Sequence, residues 1–291
     1  MDNTVSFSDT VNQLRSLMNP CTLCPRMCKV YRSKGQRGFC GIGDTAVISS
    51  TGPHFGEESV LVGNGGSGTI FFAGCNLNCI FCQNFEISHL HQGSPATTEQ
   101  LAQYMLELQN SGCVNINLVT PTHIILPIVE AIELAKNKGL NLPIVYNSGG
   151  YDLVKTLRLL DGLIDIYMPD MKYSDSAIAK QLSDAADYPQ INRQAIKEMH
   201  RQVGDLQIEE GLATHGLLVR HLVLPNKLAG SIETIDFLFE QVSPKTAINI
   251  MDQYHPCFKA GSQSQLNRRP SRNEIEDVLQ YTVQKGLNII S

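Results

Sequence analysis

The run Gly68-Thr69-Ile70-Phe71-Phe72-Ala73-Gly74-Cys75-Asn76-Leu77-Asn78-Cys79-Ile80-Phe81-Cys82-Gln83-Asn84 sets a short apolar strand directly against three closely spaced cysteines. The C-x3-C-x2-C spacing places three thiolates on one tight loop. Three such ligands can hold three corners of a cubane 4Fe-4S cluster and leave the fourth iron without a protein ligand, open to chemistry. The competing readings are a structural zinc site and three buried thiols. Zinc sites usually draw on paired C-x2-C knuckles and four ligands, and this loop offers three.

Outward from the loop, apolar runs alternate with amphipathic stretches. Residues 69–73, 114–119, 143–147, 164–168, 217–224 and 247–251 read as strands, rich in Ile, Val and Leu and bounded by turn residues. Between the first two, Leu101, Met105 and Leu108 form a helical stripe behind Thr97-Thr98-Glu99-Gln100, a capping box with Thr97 as N-cap. Ile124, Ile128, Val129, Ile132 and Ala135 form another, with Pro127 in the first turn, where it is tolerated. Such alternation implies parallel strands with right-handed crossovers. The expected fold is α/β, a partial TIM-like (βα)6 barrel over residues 66–291.

Two stretches interrupt the pattern. Residues 173–215 read as a long polar helical insert, in which Arg193, Lys197 and Arg201 share one basic face, more often solvated than binding. Residues 1–65 read as an N-terminal cysteine-rich metal-binding segment, joined to the barrel by the linker Gly63-Asn64-Gly65-Gly66-Ser67-Gly68.

Composition excludes some classes. Of 291 residues, 42% are hydrophobic and 18% charged, an ordinary globular balance. Against 28 Asp+Glu stand 23 Lys+Arg, a net charge of -5, so nothing global recruits nucleic acid or membrane. The start Met1-Asp2-Asn3-Thr4 lacks a basic, apolar leader pattern, and no apolar run approaches bilayer length, so the expectation is a cytoplasmic protein. Seven of the nine cysteines lie in the first 82 residues. In a reducing compartment that argues for metal ligation over disulfides.

Functional groups of a parallel barrel gather where strands end. After the cysteine loop, the exits carry Thr120-Pro121-Thr122-His123, Asn147-Ser148-Gly149-Gly150, Asp170-Met171-Lys172, Pro225-Asn226-Lys227 and Asp252-Gln253-Tyr254-His255. Any one could be a turn or cap. Polar groups at every exit are harder to dismiss.

With Phe81 before the third cysteine, C-x3-C-x-aromatic-C resembles the signature of the radical S-adenosylmethionine (SAM) superfamily. The resemblance implies a 4Fe-4S cluster on Cys75, Cys79 and Cys82, SAM chelated at the open iron, and reductive cleavage to a 5'-deoxyadenosyl radical that abstracts hydrogen. It also implies an electron donor such as flavodoxin or ferredoxin. Over residues 68–260 the landmarks are similar to those of glycyl-radical-enzyme activating enzymes, such as the activator of pyruvate formate-lyase. Met168-Pro169-Asp170-Met171-Lys172 resembles their Met-x-Asp-x-Lys strand end, Asn147-Ser148-Gly149-Gly150 their Asp-Thr-Asn-Gly turn, and Gln253-Tyr254-His255 their Pro-Tyr-His. By this likeness Phe81, Ser148, Lys172, Arg220 and His255 attend the cofactors, with Asp170 and Ser148 near a cation. Lys172 makes sense as a point charge against a carboxylate. Two departures stand out. Thr120-Pro121-Thr122 replaces the Gly-Gly-Glu motif that receives the SAM amino group, and Asn147 replaces the Asp of the turn.

The ferredoxin-like insert that several activating enzymes carry just after the cluster loop is absent. Instead Cys21-Thr22-Leu23-Cys24-Pro25-Arg26-Met27-Cys28 and Gly38-Phe39-Cys40-Gly41 precede the barrel, an arrangement that resembles the PflX-type branch. Cys21, Cys24, Cys28 and Cys40 can bind a second iron-sulfur cluster or a zinc ion. Arg26, Lys29, Arg32, Lys34 and Arg37 form a basic collar that offsets the charge of four thiolates.

Three functions compete. One is an activating enzyme that installs a protein radical. Another is a radical epimerase or modifying enzyme acting on a peptide or small molecule, for which Cys257 is a candidate hydrogen donor; packing as a small residue beside Pro256 is its plainer role. The third is a structural or electron-carrier iron-sulfur protein, which has no use for Lys172 or His255.

Overall fold

Each of the six apolar runs forms a strand, and the segments before and after them add further strands to the same sheet. The computed structural model describes residues 7–291. The described residues begin with α1 (Phe7–Ser16), β1 (Ala46–His54), the one-turn α2 (Ser59–Val62) and β2 (Ser67–Phe72). After the cysteine loop come α3 (Phe85–Ser88), β3 (Ser94–Ala96), α4 (Thr98–Asn110), β4 (Ile116–Val119), α5 (Ile125–Asn137), β5 (Ile144–Ser148), α6 (Val154–Leu157) and β6 (Ile166–Pro169). The remainder runs α7 (Ser176–Ser183), α8 (Tyr188–Val203), β7 (Gln207–Glu209), β8 (Leu212–Leu222), α9 (Ser231–Gln241), β9 (Ala247–Met251), α10 (Arg272–Lys285) and β10 (Asn288–Ile289).

Hydrogen bonding orders the sheet β10-β9-β8-β6-β5-β4-β2-β1-β3, with β7 against β8. The strands β2, β4, β5, β6, β8 and β9 are parallel neighbours in chain order. This is a partial (βα)6 barrel, open between the edges of the sheet. The Thr97 capping box is present, with Gln100 reciprocating, and Pro127 sits in the first turn of α5.

Burial alternates along the strands. Phe71, Arg220, Leu222 and Asn249 are half-buried between buried neighbours, and Val119 and Met251 are half-buried at their strand ends. One face therefore packs on the outer helices while the other lines an accessible lumen. Deeper in the lumen Val145, Ile166, Met168, Leu218 and Ala247 close around Leu61 of α2, an apolar floor.

Three expectations need correction. The segment 173–215 is not an accessory insert but the crossover from β6 to β8. Its outer polarity hides a stripe of Tyr188, Ala195, Ile196, Met199 and Val203 buried against the sheet. Arg193, Lys197 and Arg201 do not form one free basic face: the first two lie over the Phe237 ring, and Arg201 is paired with Glu198 and Asp161. Nor is the glycine-rich run a linker, because it is packed into the sheet. A Cβ on Gly65 would stand 1.7 Å from the Gly112 carbonyl oxygen, and Gly68 already pairs within β2.

Residues 7–65 are woven into the same architecture. β1 pairs antiparallel with β2 and with β3. Leu14, Met18, Cys21, Leu23, Cys40 and Ile42 join the main core. Among the described residues, no helix is long and apolar enough to cross a membrane.

Candidate functional site

The cysteine loop leaves β2 at the end of the lumen where the other parallel strands also exit. Gly74, at φ +82, makes the turn; a Cβ there would meet the Cys40 carbonyl oxygen at 2.6 Å. Only glycine lets the loop and the N-terminal segment approach so closely. Phe81 is buried edge-on against Tyr173 and Tyr254, which pins the loop from below. Backbone bonds hold it from the sides, Asn78 N to Ser183 O at 3.2 Å, Ile80 N to Leu182 O at 2.9 Å and Lys259 N to Ile80 O at 2.8 Å.

The three thiols are free and each has a donor or hydroxyl beside it. Leu77 N–H donates to Cys75 Sγ (3.3 Å), Ser183 Oγ to Cys79 Sγ (2.9 Å), and Ser88 Oγ lies 3.1 Å from Cys82 Sγ. Burial pushes the Cys75 and Cys82 thiols up, and the neighbouring Cys79 adds to both; Lys172 acts in the opposite direction on each. Among the described residues no three His, Cys, Asp or Glu side chains converge on a single-ion site. A cubane asks for something different, one thiolate per iron at separate corners, and three mutually close thiols on one loop fit that demand.

Facing the loop is a charged set. Lys172 Nζ is 2.6 Å from Asp170 Oδ2, while Arg220 Nε donates to Asp170 Oδ1 at 3.0 Å and its Nη2 to Asn147 Oδ1 at 2.7 Å. Burial opposes the charge on Lys172, but Asp170 and Cys79 outweigh it and hold the ammonium above its ordinary value. Burial likewise opposes the Asp170 carboxylate, and Arg220 and Lys172 overcome it, so the carboxyl lies below its usual range. All three groups are charged at neutral pH. Asn147 has a structural use here, since its amide oxygen accepts from Arg220.

The other expected residues divide. Ser148 is committed: its Oγ donates to Asp152 Oδ2 at 2.8 Å and accepts from Gly150 N at 3.1 Å. Asp152 is fully buried and also accepts from Thr122 (2.7 Å) and Tyr146 (2.9 Å). His255 is exposed beside the loop, its Nδ1 3.4 Å from the Gln83 amide nitrogen. Cys257 is half-buried on the same exit loop, next to Phe258, which stacks on Phe85 of α3 at 5.0 Å. Asn226 and Lys227 turn away from the cysteines. They line a cavity of about 320 Å3 with Glu274 and Asp277, and Asn226 is held by Gln265 and Arg268. Thr120 takes φ +63, a rare conformation for a β-branched residue, where Gly-Gly-Glu was expected from the resemblance.

The N-terminal cysteines are neighbours. Burial pushes Cys24 up to about 12, with Cys40, Cys21 and Cys28 adding to it; burial also raises Cys40, which Arg32 lowers. Phe39 N–H donates to Cys28 Sγ at 3.3 Å. The collar is not a uniform surface. Arg32 is 2% exposed, with Nη2 3.4 Å from Cys40 Sγ and Nη1 on the His123 carbonyl at 2.6 Å. Arg26 spans to the other loop, donating to Asn76 O at 2.8 Å and stacking on Phe39 at 3.7 Å.

Residues 69–238 match the family described as the Radical SAM superfamily. A curated relative, Uncharacterized protein MJ0674 of Methanocaldococcus jannaschii, is 32% identical over 286 residues, 95% of this chain and 78% of that protein. The chain belongs to the radical SAM superfamily. Its cofactors are those of the family, a 4Fe-4S cluster and SAM. Among solved structures, Streptococcus suis SuiB bound to S-adenosylmethionine is similar at TM-score 0.50 and 13% identity, over 74% of this chain and 47% of SuiB. A radical SAM methyltransferase from Sphaerobacter thermophilus gives TM-score 0.52 and 15% identity, over 76% of this chain and 64% of the other. At such identities the likeness is one of fold, and the chain spans only about half to two thirds of those proteins.

Several residues that build this candidate site carried no sequence signal. Tyr188 OH lies 2.9 Å from both the Gly149 and Asp170 carbonyl oxygens, which share its one proton, and accepts from Lys172 N–H at 3.0 Å. Asn192 Nδ2 donates to Gly150 O (3.0 Å) and Asp170 O (2.9 Å). Both sit on α8, inside the stretch that reads as a polar insert. Arg26 was visible within the Cys-Pro-Arg motif, but only as one charge of a collar.

Proposed function

We propose that this radical SAM protein is an oxidoreductase that cleaves SAM on the Cys75–Cys79–Cys82 loop and abstracts a hydrogen atom from a substrate in the lumen. The observation that carries this is the juxtaposition of the three thiols with Lys172, which faces all of them while paired to Asp170. When bound, the reduced cluster supplies one electron to the sulfonium, giving methionine and a 5'-deoxyadenosyl radical.

The protein's own part is binding and exclusion. Lys172 offers its ammonium to the SAM carboxylate as a compact point charge. Asp170 and Arg220 keep it aimed toward the loop, and Tyr188 and Asn192 hold the backbone of that strand end. Phe81, Tyr173 and Tyr254 keep water from beneath the loop. The activating-enzyme reading draws on the order of strand-end landmarks. The modifying-enzyme reading draws on Cys257, half-buried on the exit loop beside the cysteines. Cys21, Cys24, Cys28 and Cys40 form a second metal site in this proposal, and a reduced flavodoxin or ferredoxin is the electron source.

The test is anaerobic reconstitution with iron, sulfide and reductant, followed by measurement of 5'-deoxyadenosine. Wild type should form it. Cys79→Ala, which leaves one iron of a three-cysteine site without its ligand, should not, while its circular dichroism stays native. Undiminished cleavage in that variant refutes the assignment.

A further inference from the structure

The turn between β1 and α2 places two carboxylates inside the barrel. β1 ends at His54, paired with Ser67 at the start of β2. The chain then crosses the open side of the sheet to the opposite edge, where Glu58 Oε1 accepts from Asn249 of β9 at 2.9 Å and α2 packs on β8. Glu57 reaches toward Arg220, its carboxylate 3.9 Å from Nη1 and its side chain 8% exposed. Above the apolar floor there is thus a polar layer of Glu57, Glu58, Asn117, Asn147, Arg220 and Asn249.

The hydrogen bonding of this layer is incomplete. Asn117 is fully buried with its amide nitrogen directed at Glu57, its oxygen has no hydrogen-bond partner, and Glu58 Oε2 has none either. Buried polar atoms are seldom left so, because each costs roughly 1–3 kcal/mol. The charges are unequal as well. Glu57, Glu58 and Asp170 stand against Arg220 and Lys172, and the short contacts of both cations go to Asp170 or Asn147. His54, 3.1 Å from Glu57, evens the balance only when protonated. Burial raises the Glu57 carboxyl despite Arg220, as fits a carboxylate short of a counter-charge.

We propose that this layer is the recognition end of the substrate pocket and binds a cationic amino group. The three donors of an ammonium match three acceptors: Glu57, Glu58 Oε2 and Asn117 Oδ1. Between them and the cysteine loop the lumen is lined by half-buried Phe71, Val119, Leu222 and Met251, which suit an aliphatic stem. The substrate class is an amine or a lysine-like side chain, held by its charged end with a C–H bond presented nearer the loop. This rests on the SAM-cleaving reading and favours a modifying enzyme over a glycyl-radical activator, whose target glycine carries no cation.

The test is calorimetry on the anaerobically reconstituted full chain, with saturating SAM and no reductant, using n-butylammonium, 1-butanol and butyrate as probes. The amine should bind about ten-fold or more tightly than the alcohol, the size of one charge-assisted contact, and butyrate should not bind. Glu57→Gln should weaken the amine about ten-fold, and more than it weakens SAM. Asn117→Asp, which adds a carboxylate, should tighten it. Equal affinity for amine and alcohol, or an amine affinity identical in wild type, Glu57→Gln and Asn117→Asp, overturns the proposal. The amine titration is repeated without SAM, so a loss of SAM binding counts against the proposed function and not against the amine site.

Discussion

Lys172 is a side chain whose charge and position are both fixed by its neighbours. Its ammonium is buried and singly paired to Asp170, and Asp170 is in turn shared with Arg220. Removing it deletes a charge-assisted contact worth about 1.5–3 kcal/mol, so Lys172→Ala should weaken SAM about ten-fold or more, read by anaerobic equilibrium binding. An unchanged dissociation constant would remove Lys172 from the SAM site. His221 makes a different prediction. Buried beneath this set, it donates Nδ1–H to Met171 O at 2.7 Å and accepts from Ser231 Oγ at 2.8 Å, and burial pushes it down to about 4. A depressed folded value means stability is fully present above the unfolded value of about 6.5 and is lost as pH falls toward 4. The loss is about 1.4 kcal/mol per pH unit within that window. Denaturant titrations at pH 5 and 7 should show it, and His221→Gln should flatten the slope by one proton.

At the scale of elements, α7 and α8 work as the retaining wall of the site. Ser183 at the end of α7 reaches Cys79, and α8 enters with Tyr188 and Asn192 beneath the exits of β5 and β6. Asn192 is fully buried and bonds two carbonyls with one amide. Asn192→Ala strands the Gly150 carbonyl oxygen and leaves the Asp170 carbonyl to Tyr188 alone, and should cost about 1–3 kcal/mol in urea unfolding, with weaker SAM binding as the Asp170 strand end loosens. A variant as stable as wild type would mean that water or a shifted side chain replaces the amide. The capping box of α4 is the opposite kind of feature, local and exposed, and so it was readable from four consecutive residues.

The molecule as a whole joins two cysteine clusters through short contacts. Cys40 backs onto Gly74, Arg26 grips Asn76, and Arg32 links Cys40 to His123, whose Nε2 donates to Ala73 O at 2.9 Å. If Cys21, Cys24, Cys28 and Cys40 hold a metal, replacing all four by alanine should remove one zinc ion or the iron of one cluster while the SAM-cluster signal persists in paramagnetic resonance. Equal iron and zinc contents in wild type and variant would refute the second site, and loss of iron or of zinc identifies its metal.

What the sequence determined by itself is whatever depends on local spacing. The three cysteines of one loop, the four upstream, the strand-helix alternation and the Asp170–Lys172 strand end are each set within a few residues, so the family and its cofactors could be read from them. The partners of buried polar groups belong to the tertiary structure. That Ser148 is committed to Asp152, that Asn147 serves Arg220, and that Glu57 and Glu58 cross the open barrel to face Asn117 and Asn249 depends on which strands become neighbours and which face each side chain takes. Those pairings span up to 191 residues of chain. No local period encodes them, because they exist only once the sheet has assembled and burial has left each polar atom to find what partner it can.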